Sequence, residues 1–205
     1  MIRSVLFDFG GVITTSPFDA FARYERDEGL PAGLIRTINA TDPNTNAWAR
    51  LERHEIGLGE FCTLFEAEAR TAGHDVDARA VVACLAGDVR PRMVEAVRRC
   101  AERFKTACLT NNFVTDDRGP DEEVAEVFAL FHLVLESSKL GVRKPDPRIY
   151  ELACEALDVE PDEVVFLDDL GVNLKPARQM GMHTVKVTSP EEAIRTLSSI
   201  LGIPL

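Results

Sequence analysis

The sequence predicts an α/β protein with a doubly wound, mostly parallel sheet and a small helical unit inserted after the first strand. Three observations predict this class: short apolar, β-rich segments, helical periodicity between them, and polar clusters directly after the strands. Strands that are buried on both faces of a parallel sheet have nearly continuous apolar sequences, as these segments do. The predicted strands are residues 4–9, 106–109, 133–135, 164–167 and 184–187.

Apolar residues recur at helical spacing between these strands, over residues 92–103, 147–157, 174–180 and 190–201. Alternating strands and helices favour a parallel sheet that is covered by helices on both faces. In such sheets, ligands bind beyond the carboxyl ends of the strands, near the point where the strand order reverses. We therefore expect the functional site at that edge.

The stretch of residues 15–90 departs from this alternation, because it has no convincing strand and several amphipathic helical patterns. We predict that it forms a small helical bundle, which we call the cap. Residues 1–14 and 91–205 would then form the α/β core. This arrangement gives one buried domain with a smaller insertion, which suits the length of the chain.

Charge and composition exclude several classes of partner. The 205 residues include 34 acidic and 23 basic side chains, for a formal net charge of -11, which repels nucleic-acid phosphates and anionic membranes. No apolar run approaches the roughly 18 residues of a spanning helix, so we expect no membrane insertion. The first residues are interpreted as a strand and not as a secretory signal. Five cysteines without CxxC or metal-ligand spacing predict reduced thiols and a cytoplasmic location.

Four polar clusters supply candidate functional groups. Each cluster alone is weak evidence, because carboxylates and amides at strand ends also cap turns and helices. In order, however, they provide a nucleophile, a hydroxyl, a cation and a metal-binding pair at one edge of the predicted sheet. The clusters are residues 8–12, 110–112, 144–147 and 168–173.

With these clusters the chain resembles the haloacid dehalogenase-like hydrolase superfamily over nearly its whole length. Three segments are similar in particular to the amino-terminal phosphatase domain of mammalian soluble epoxide hydrolases: FLDDLGVNLKPARQMGMHTVKV (166–187), LTNNFVTDDR (109–118) and KPDPRIYE (144–151). The resemblance implies a Rossmann-like core, a helical cap that closes over the site, and Mg²⁺ as cofactor. It also implies a small phosphorylated molecule as substrate.

The resemblance also bears on the extent of the chain. The sequence stops at Leu205, where the comparable domain of those relatives stops, so no epoxide-opening domain is expected. The sequence leaves a monomer and a homodimer both open.

The predicted metal site follows from the charge of a phosphomonoester. A carboxylate attacks a dianionic ester only when a cation neutralises the charge between them, so Asp8 is the predicted nucleophile with its second oxygen on Mg²⁺. The resemblance implies the main-chain carbonyl of Gly10 as another ligand. Asp168 and Asp169 would complete the site. The resemblance implies Asp169 as the direct ligand and Asp168 as acting through water, whereas the residues themselves leave open which of the two binds the metal directly. Asn173 would hold a carboxylate in place.

Further groups are predicted to bind the phosphate. Thr110 offers a hydroxyl and Asn111 an amide to the phosphoryl oxygens, and the backbone N–H groups at Gly10 and Gly11 would cradle the same oxygens. Lys144 supplies a fixed positive charge to both the nucleophile and the phosphate.

One segment of the cap, residues 50–56, resembles the loop that faces the active site in relatives. Arg50, Arg53 and His54 are therefore candidates for substrate contact. The competing interpretation is that they are solvated charges at the end of a helix.

Gly10 is the departure from the family pattern. Phosphatases of this superfamily carry an aspartate two residues after the nucleophile, where it protonates the leaving oxygen and later activates water. Losing a general acid or base costs about 10²–10⁴-fold in rate. On the first of three interpretations, the chain is a slow or specialised phosphatase in which substrate, water or a residue such as Thr14, Thr15 or His54 replaces the acid.

Two other interpretations of Gly10 stay open. A 2-haloacid dehalogenase needs no proton for its leaving halide, and a phosphate-binding or regulatory protein needs no turnover. The Asp168-Asp169 pair argues against dehalogenation, because that reaction needs no metal and the pair would repel Asp8 without a cation.

Overall fold

The centre of the protein is a five-stranded parallel sheet. We describe it from a computed structural model, which covers residues 1–114 and 122–205. The strands are β1 (Ser4–Phe7), β2 (Lys105–Thr110), β3 (Leu133–Glu136), β4 (Val164–Asp168) and β5 (His183–Lys186). They are arranged in the order β3-β2-β1-β4-β5, and every neighbouring pair is parallel. The predicted α/β class is confirmed.

The first strand is shorter than predicted, because the chain leaves the sheet at Asp8. Residues Phe9–Ile13 form a tight turn, in which the N–H of Thr14 donates to the carbonyl of Phe9 at 3.0 Å. The Oδ1 of Asp8 accepts the N–H of Phe9 at 2.7 Å. This local bond replaces a further step of strand pairing and places the Asp8 carboxylate at the edge of the sheet.

Helices cover both faces of the sheet. The helices of the core are α6 (Pro91–Ala101), α7 (Glu122–Phe128), α8 (Ser137–Leu140), α9 (Pro147–Leu157), α10 (Gly171–Gln179) and α11 (Pro190–Leu201). On one face, Val5 and Phe7 pack with apolar residues of α6, α7 and α11. On the other face, Leu6 and Phe166 pack with α9 and α10. The alternation of side chains along each strand produces these two separate clusters.

Between the Phe9–Ile13 turn and α6 the chain is helical, as expected for the cap. Its helices are α1 (Pro17–Asp27), α2 (Leu34–Ala40), α3 (Ala47–Glu52), α4 (Leu58–Thr71) and α5 (Ala78–Ala83). They share an apolar cluster of their own, in which the Trp48 ring lies 5.5 Å from the ring of Phe61 and 5.9 Å from that of Phe65. The exact boundaries of the cap stay a prediction.

Two stretches of chain join the cap to the core side by side. The N–H of Thr15 donates to the carbonyl of Asp88 at 2.9 Å, and the N–H of Arg90 donates to the carbonyl of Ile13 at 2.8 Å. Thr14 and Val89 form an antiparallel bridge between these bonds. The cap is thereby attached directly behind the turn that follows Asp8.

Two sequence expectations concern the chain outside the site. All five cysteines are free, and Cys108 is fully buried in the sheet. Among the described residues, no helix combines the length and the apolar character that crossing a membrane requires. The segment LTNNFVTDDR (109–118), which is one of the three that carry the resemblance, extends into residues 115–121, so its last residues lie outside the described part of the chain.

Candidate active site

Three carboxylates converge where the strand order reverses. Asp8 follows β1, Asp168 ends β4 and Asp169 comes next in the chain. Because β1 and β4 are parallel neighbours with Phe7 opposite Leu167, both strands end at the same level. One oxygen from each carboxylate lies within 4.8 Å of the others. The sheet itself therefore brings together residues that are 160 positions apart in the sequence.

The ammonium group of Lys144 lies between two of these carboxylates. Its Nζ is 2.7 Å from Oδ1 of Asp8 and 2.8 Å from Oδ2 of Asp168, and the side chain is 1% exposed. Burial by itself lowers the pKa of Lys144, but the charges of Asp168 and Asp8 outweigh it and hold that pKa above its ordinary value. Lys144 is therefore a permanent cation in the site.

One internal cation does not balance three carboxylates. Burial raises the pKa of Asp8 well above its ordinary value, against the opposing charge of Lys144. Burial and the neighbouring charge of Asp168 raise the pKa of Asp169 to about 6. A bound divalent cation would relieve this excess negative charge, and an all-oxygen donor set is the kind that Mg²⁺ prefers. The side chains present thus fit a hard metal ion.

Asp168 and Asp169 have different surroundings. Asp168 accepts the N–H of Leu170 at 2.8 Å, and Asn173 Nδ2 lies 3.1 Å from each of its oxygens. Asp169 is partly buried, and Ser16 Oγ donates to its Oδ2 at 3.4 Å. Asp168 is thus held rigidly by several donors, whereas Asp169 retains free acceptor capacity. This difference supports Asp169 as the more direct metal ligand and Asn173 as the residue that orients Asp168.

The two glycines of the turn differ in what surrounds them. Gly11 has φ +77, and a Cβ there would lie 2.3 Å from Oδ2 of Asp169. Its carbonyl accepts Nη1 of Arg90 at 2.7 Å. Gly10 has φ -66 and ψ 128, a conformation open to any residue, and a Cβ there would meet nothing within 4 Å. The backbone conformation therefore requires glycine at position 11 but not at position 10.

The second strand contributes Thr110 and Asn111. Thr110 ends β2 and is buried, and its hydroxyl has no hydrogen-bond partner in the described parts of the chain. Asn111 Oδ1 accepts the N–H of Lys144 at 2.9 Å, and its Nδ2 donates to the Lys144 carbonyl at 3.0 Å. Both ends of this amide are engaged in this arrangement, so phosphate binding by Asn111 gains no support from these contacts and stays a prediction.

The comparison with known families agrees with this geometry. The family described as haloacid dehalogenase-like hydrolase matches residues 2–181. The chain belongs to this family. The resemblance that the motifs indicated is thereby confirmed, and with it the expectation of a hydrolase.

Two relatives of this hydrolase are much longer proteins. The chain is 35% identical to acyl-CoA dehydrogenase family member 10 of Mus musculus, over 99% of the chain and 19% of that protein. It is 31% identical to bifunctional epoxide hydrolase 2 of Sus scrofa, over 100% of the chain and 40% of that protein. The chain thus spans less than half the length of these relatives.

A solved structure shows the same fold. A haloacid dehalogenase-family enzyme from Bacteroides thetaiotaomicron, in complex with magnesium and inorganic phosphate, superposes with a TM-score of 0.59 at 20% identity. The superposition covers 91% of this chain and 94% of that one. At this identity, the similarity establishes the fold of the haloacid dehalogenase-like core and of the inserted helices.

Two of the three cap side chains that the sequence singled out, Arg50 and Arg53, form ion pairs with glutamates of the cap. Arg53 binds Glu55 through two bonds, of 2.6 and 3.1 Å, and Arg50 lies 3.3 Å from Glu60. His54 is exposed and has φ 58. No contact joins Arg50, Arg53 or His54 to the carboxylate cluster among the described residues, which favours their interpretation as helix-end charges. Their contact with substrate stays a prediction for this hydrolase.

The hydroxyls that were candidates to replace the missing acid belong to the junction with the cap. Thr14 Oγ1 lies 3.5 Å from the carbonyl of Phe9 and 3.3 Å from that of Thr15. Thr15 Oγ1 accepts the N–H of Asp88 at 3.0 Å. Both groups hold the backbone, and a role in proton transfer gains no support from these contacts.

The sequence pattern pointed to Arg50, Arg53 and His54 but not to Glu52, which lies among them. The Glu52 carboxylate is buried at the end of α3. Glu52 accepts Nε1 of Trp48 at 3.0 Å and Nδ2 of Asn111 at 3.2 Å. Its position four residues after the buried Trp48 is the signal that places it on the same helix face.

We expect the two glycines of this family turn to respond differently to the same substitution. Gly11→Ala should lower the free energy of unfolding by about 1–3 kcal/mol, because alanine resists positive φ and its Cβ would meet the Asp169 carboxylate. Gly10→Ala is the matched control and should leave stability unchanged or raise it by about 0.4–1 kcal/mol. Urea unfolding of both variants measures this, and equal losses would contradict the assigned turn geometry.

The pKa of Asp169, about 6, predicts a pH-dependent penalty in the metal-free protein. Its folded pKa lies above the unfolded value, so stability falls as pH rises from about 4 to about 6 and then levels off. Asp169→Asn removes this penalty and should raise Tm at pH 7.5 in EDTA by about 2–4 °C, the shift that roughly 1 kcal/mol produces at this chain length. The gain should shrink at pH 4.5. A gain independent of pH would contradict the raised pKa.

Proposed function

We propose that this hydrolase cleaves small phosphate monoesters in a Mg²⁺-dependent reaction, through an aspartyl-phosphate on Asp8. The observation that carries the proposal is the cluster of Asp8, Asp168 and Asp169 around the buried Lys144 ammonium. Such a site has the charge to hold a divalent cation beside a carboxylate nucleophile. The related fold that binds magnesium and inorganic phosphate supports the same ligand chemistry.

Asp8 is oriented for attack by two donors. Its Oδ1 accepts the N–H of Phe9 and contacts the ammonium of Lys144. A carboxylate oxygen of Asp8 forms a bond to phosphorus while the bond from phosphorus to the alcohol oxygen breaks, and the alcohol oxygen leaves with the electron pair. Water then attacks the phosphorus of the aspartyl-phosphate and releases inorganic phosphate, which restores the carboxylate.

The other groups stabilise charge on the transferred phosphoryl group. The fixed positive charge of Lys144 contacts Asp8, and Thr110 ends the neighbouring strand β2 with a hydroxyl that has no hydrogen-bond partner among the described residues. Groups placed in this way stabilise charge that develops in the transition state. The backbone N–H groups of the Gly10-Gly11 turn are further candidate donors. Asn173 acts indirectly, since it holds the Asp168 carboxylate.

The residues proposed to hold Mg²⁺ are Asp8, Asp169 and the main-chain carbonyl of Gly10, with Asp168 acting through water. When bound, the ion supplies the positive charge that lets an anionic nucleophile approach an anionic ester. The raised pKa values of Asp8 and Asp169 support this assignment, because burial above all, and then the neighbouring carboxylates, disfavour their charged forms, which a bound cation would stabilise.

Proton transfer to the leaving oxygen is the weak step. Gly10 offers no side chain at the position where relatives place an acid, although the space around it is open. We infer that phosphate esters with acidic leaving groups are the better substrates, because their oxygen leaves without protonation. Gly10 also favours a second candidate function, in which the chain binds a phosphorylated ligand and turns it over negligibly.

Phosphate release from p-nitrophenyl phosphate tests the proposal. We expect release that requires Mg²⁺, stops with EDTA and falls at least about 10³-fold in Asp8→Asn, because the nucleophile is lost. Asp27→Asn, at an exposed cap position, is the matched control and should retain full activity. Activity that survives in EDTA or in Asp8→Asn would refute the mechanism.

Two further measurements decide between the alternatives. Release of chloride from 2-chloropropionate without metal would assign the chain as a dehalogenase. Thermal stabilisation by Mg²⁺ with inorganic phosphate, without release of either product, would assign the second candidate function.

Restoring a carboxylate at position 10 should raise turnover. We expect Gly10→Asp to increase kcat by up to about 10²–10⁴-fold with alkyl phosphates and much less with p-nitrophenyl phosphate, whose leaving group is already acidic. Gly10→Asn has the same size and shape without the proton and serves as control. An equal gain in both variants, or a gain independent of the leaving group, would show that proton transfer is not what position 10 lacks.

A further inference from the structure

Glu52 lies where the cap meets the core. It belongs to the last turn of α3, is 8% exposed, and accepts Nε1 of Trp48 at 3.0 Å within the cap. Its Oε2 accepts Nδ2 of Asn111 at 3.2 Å and lies 2.5 Å from Nε of Arg143. One carboxylate of the cap therefore contacts two side chains of the core.

Asn111 connects this contact to the candidate catalytic lysine. Its side-chain amide binds both backbone polar groups of Lys144, accepting from the N–H at 2.9 Å and donating to the carbonyl at 3.0 Å. The same residue carries the ammonium that bridges Asp8 and Asp168. Glu52 is thus linked through one intermediate side chain to the backbone that carries this ammonium.

Neighbouring contacts join the cap to the same part of the core. Arg143 precedes Lys144 and donates from Nη1 to the cap carbonyl of Pro43 at 2.9 Å. The main-chain carbonyl of Glu52 accepts Oγ of Ser137 at 2.7 Å, and that Oγ accepts the N–H of Asn112 at 3.0 Å. The Arg143–Pro43 and Ser137–Glu52 contacts form only when the cap is seated on the core, since each has one partner in each part, whereas the Ser137–Asn112 bond lies within the core.

The charges explain why this seating is favoured. The Glu52 carboxylate is buried, and Arg143 is its cationic partner. Separating a buried ion pair leaves an uncompensated charge, which is strongly unfavourable. Loss of the contact would also free the Nδ2 group of Asn111 to reorient, and with it the backbone of Lys144.

We propose that Glu52 is a positioning residue that couples seating of the cap to the placement of Lys144, by holding Asn111 against the Lys144 backbone. The proposal rests on the function proposed above, because that function assigns Lys144 its role in binding the nucleophile and the phosphoryl group. It explains how a cap residue acts on the reaction without touching the substrate. It also explains why a buried charged residue stands at a junction that apolar packing would otherwise stabilise.

A double-mutant cycle tests this coupling. With p-nitrophenyl phosphate and Mg²⁺, Glu52→Ala and Asn111→Ala should each lower kcat/KM about tenfold, the loss expected when one hydrogen bond is removed. The double variant should be no worse than either single variant, because both break the same connection. Glu52→Gln keeps an acceptor for Asn111 but loses the charge that pairs with Arg143, so it should recover most of the loss in kcat/KM while Tm stays lowered. Losses that multiply in the double variant would overturn the proposal.

A second measurement does not depend on turnover. Amide hydrogen exchange at Lys144, followed by NMR, should accelerate in Glu52→Ala because the N–H loses its fixed acceptor. Glu25→Gln is the matched control: Glu25 is a buried cap carboxylate that accepts the N–H groups of Gly33 and Ile35, and within residues 1–114 and 122–205 its side chain has no hydrogen bond or ion pair with the core. It should lower Tm while leaving Lys144 exchange and kcat/KM unchanged.

The outcomes separate the two proposals. Unchanged Lys144 exchange in Glu52→Ala would overturn the coupling even if phosphatase activity is present. Equal acceleration in Glu25→Gln would overturn it as well, since general loosening of the cap would then suffice. If the unaltered protein releases no phosphate, the proposed function fails, and accelerated exchange specific to Glu52→Ala still supports the coupling.

Discussion

The mutual repulsion of Asp8, Asp168 and Asp169 is the constraint on which the rest of the structure depends. Their carboxylates meet at a buried edge of the sheet, and Lys144 is the cation that the described residues place between them. Burial, and then the repulsion between the carboxylates, raises the pKa values of Asp8 and Asp169. Such a cluster lowers stability unless the surrounding structure holds each group in place and unless protonation or a further cation reduces the negative charge.

Several features of the fold serve to hold this cluster. The parallel register of β1 and β4 sets the level at which Asp8 and Asp168 leave the sheet, and Asn173 with the Leu170 N–H orients Asp168. Gly11 lets the turn pass close to Asp169. The remaining anchor is Lys144 itself, whose backbone is held by Asn111 and, through it, by the cap. The sheet therefore positions the carboxylates, whereas side-chain contacts from two parts of the chain position the cation.

Gly10 concerns proton transfer alone, and not the binding of metal and phosphate that is proposed for the same site. The groups proposed to bind metal and phosphate are present, whereas position 10 has no side chain to move a proton although the space for one exists. Binding that depends on fixed charges survives the loss of a single acid. Turnover of an unactivated ester is slowed by that loss, because it depends on protonation of the leaving oxygen. Family membership thus establishes the class of hydrolase, and the effect of Gly10 on turnover belongs to the proposed function.

The sequence by itself determined the class of fold and the place of each strand to within one or two residues, because apolar runs, helical periodicity and polar strand ends are local signals. It placed Asp8, Lys144, Asp168 and Asp169 in one site for the same reason: the carboxyl ends of parallel strands share one edge. Only the tertiary structure decided that Asn111 binds the backbone of Lys144, and that Glu52 is buried against Asn111. These contacts join residues 33 and 59 positions apart, and they depend on how the cap packs on the core, which no local pattern encodes.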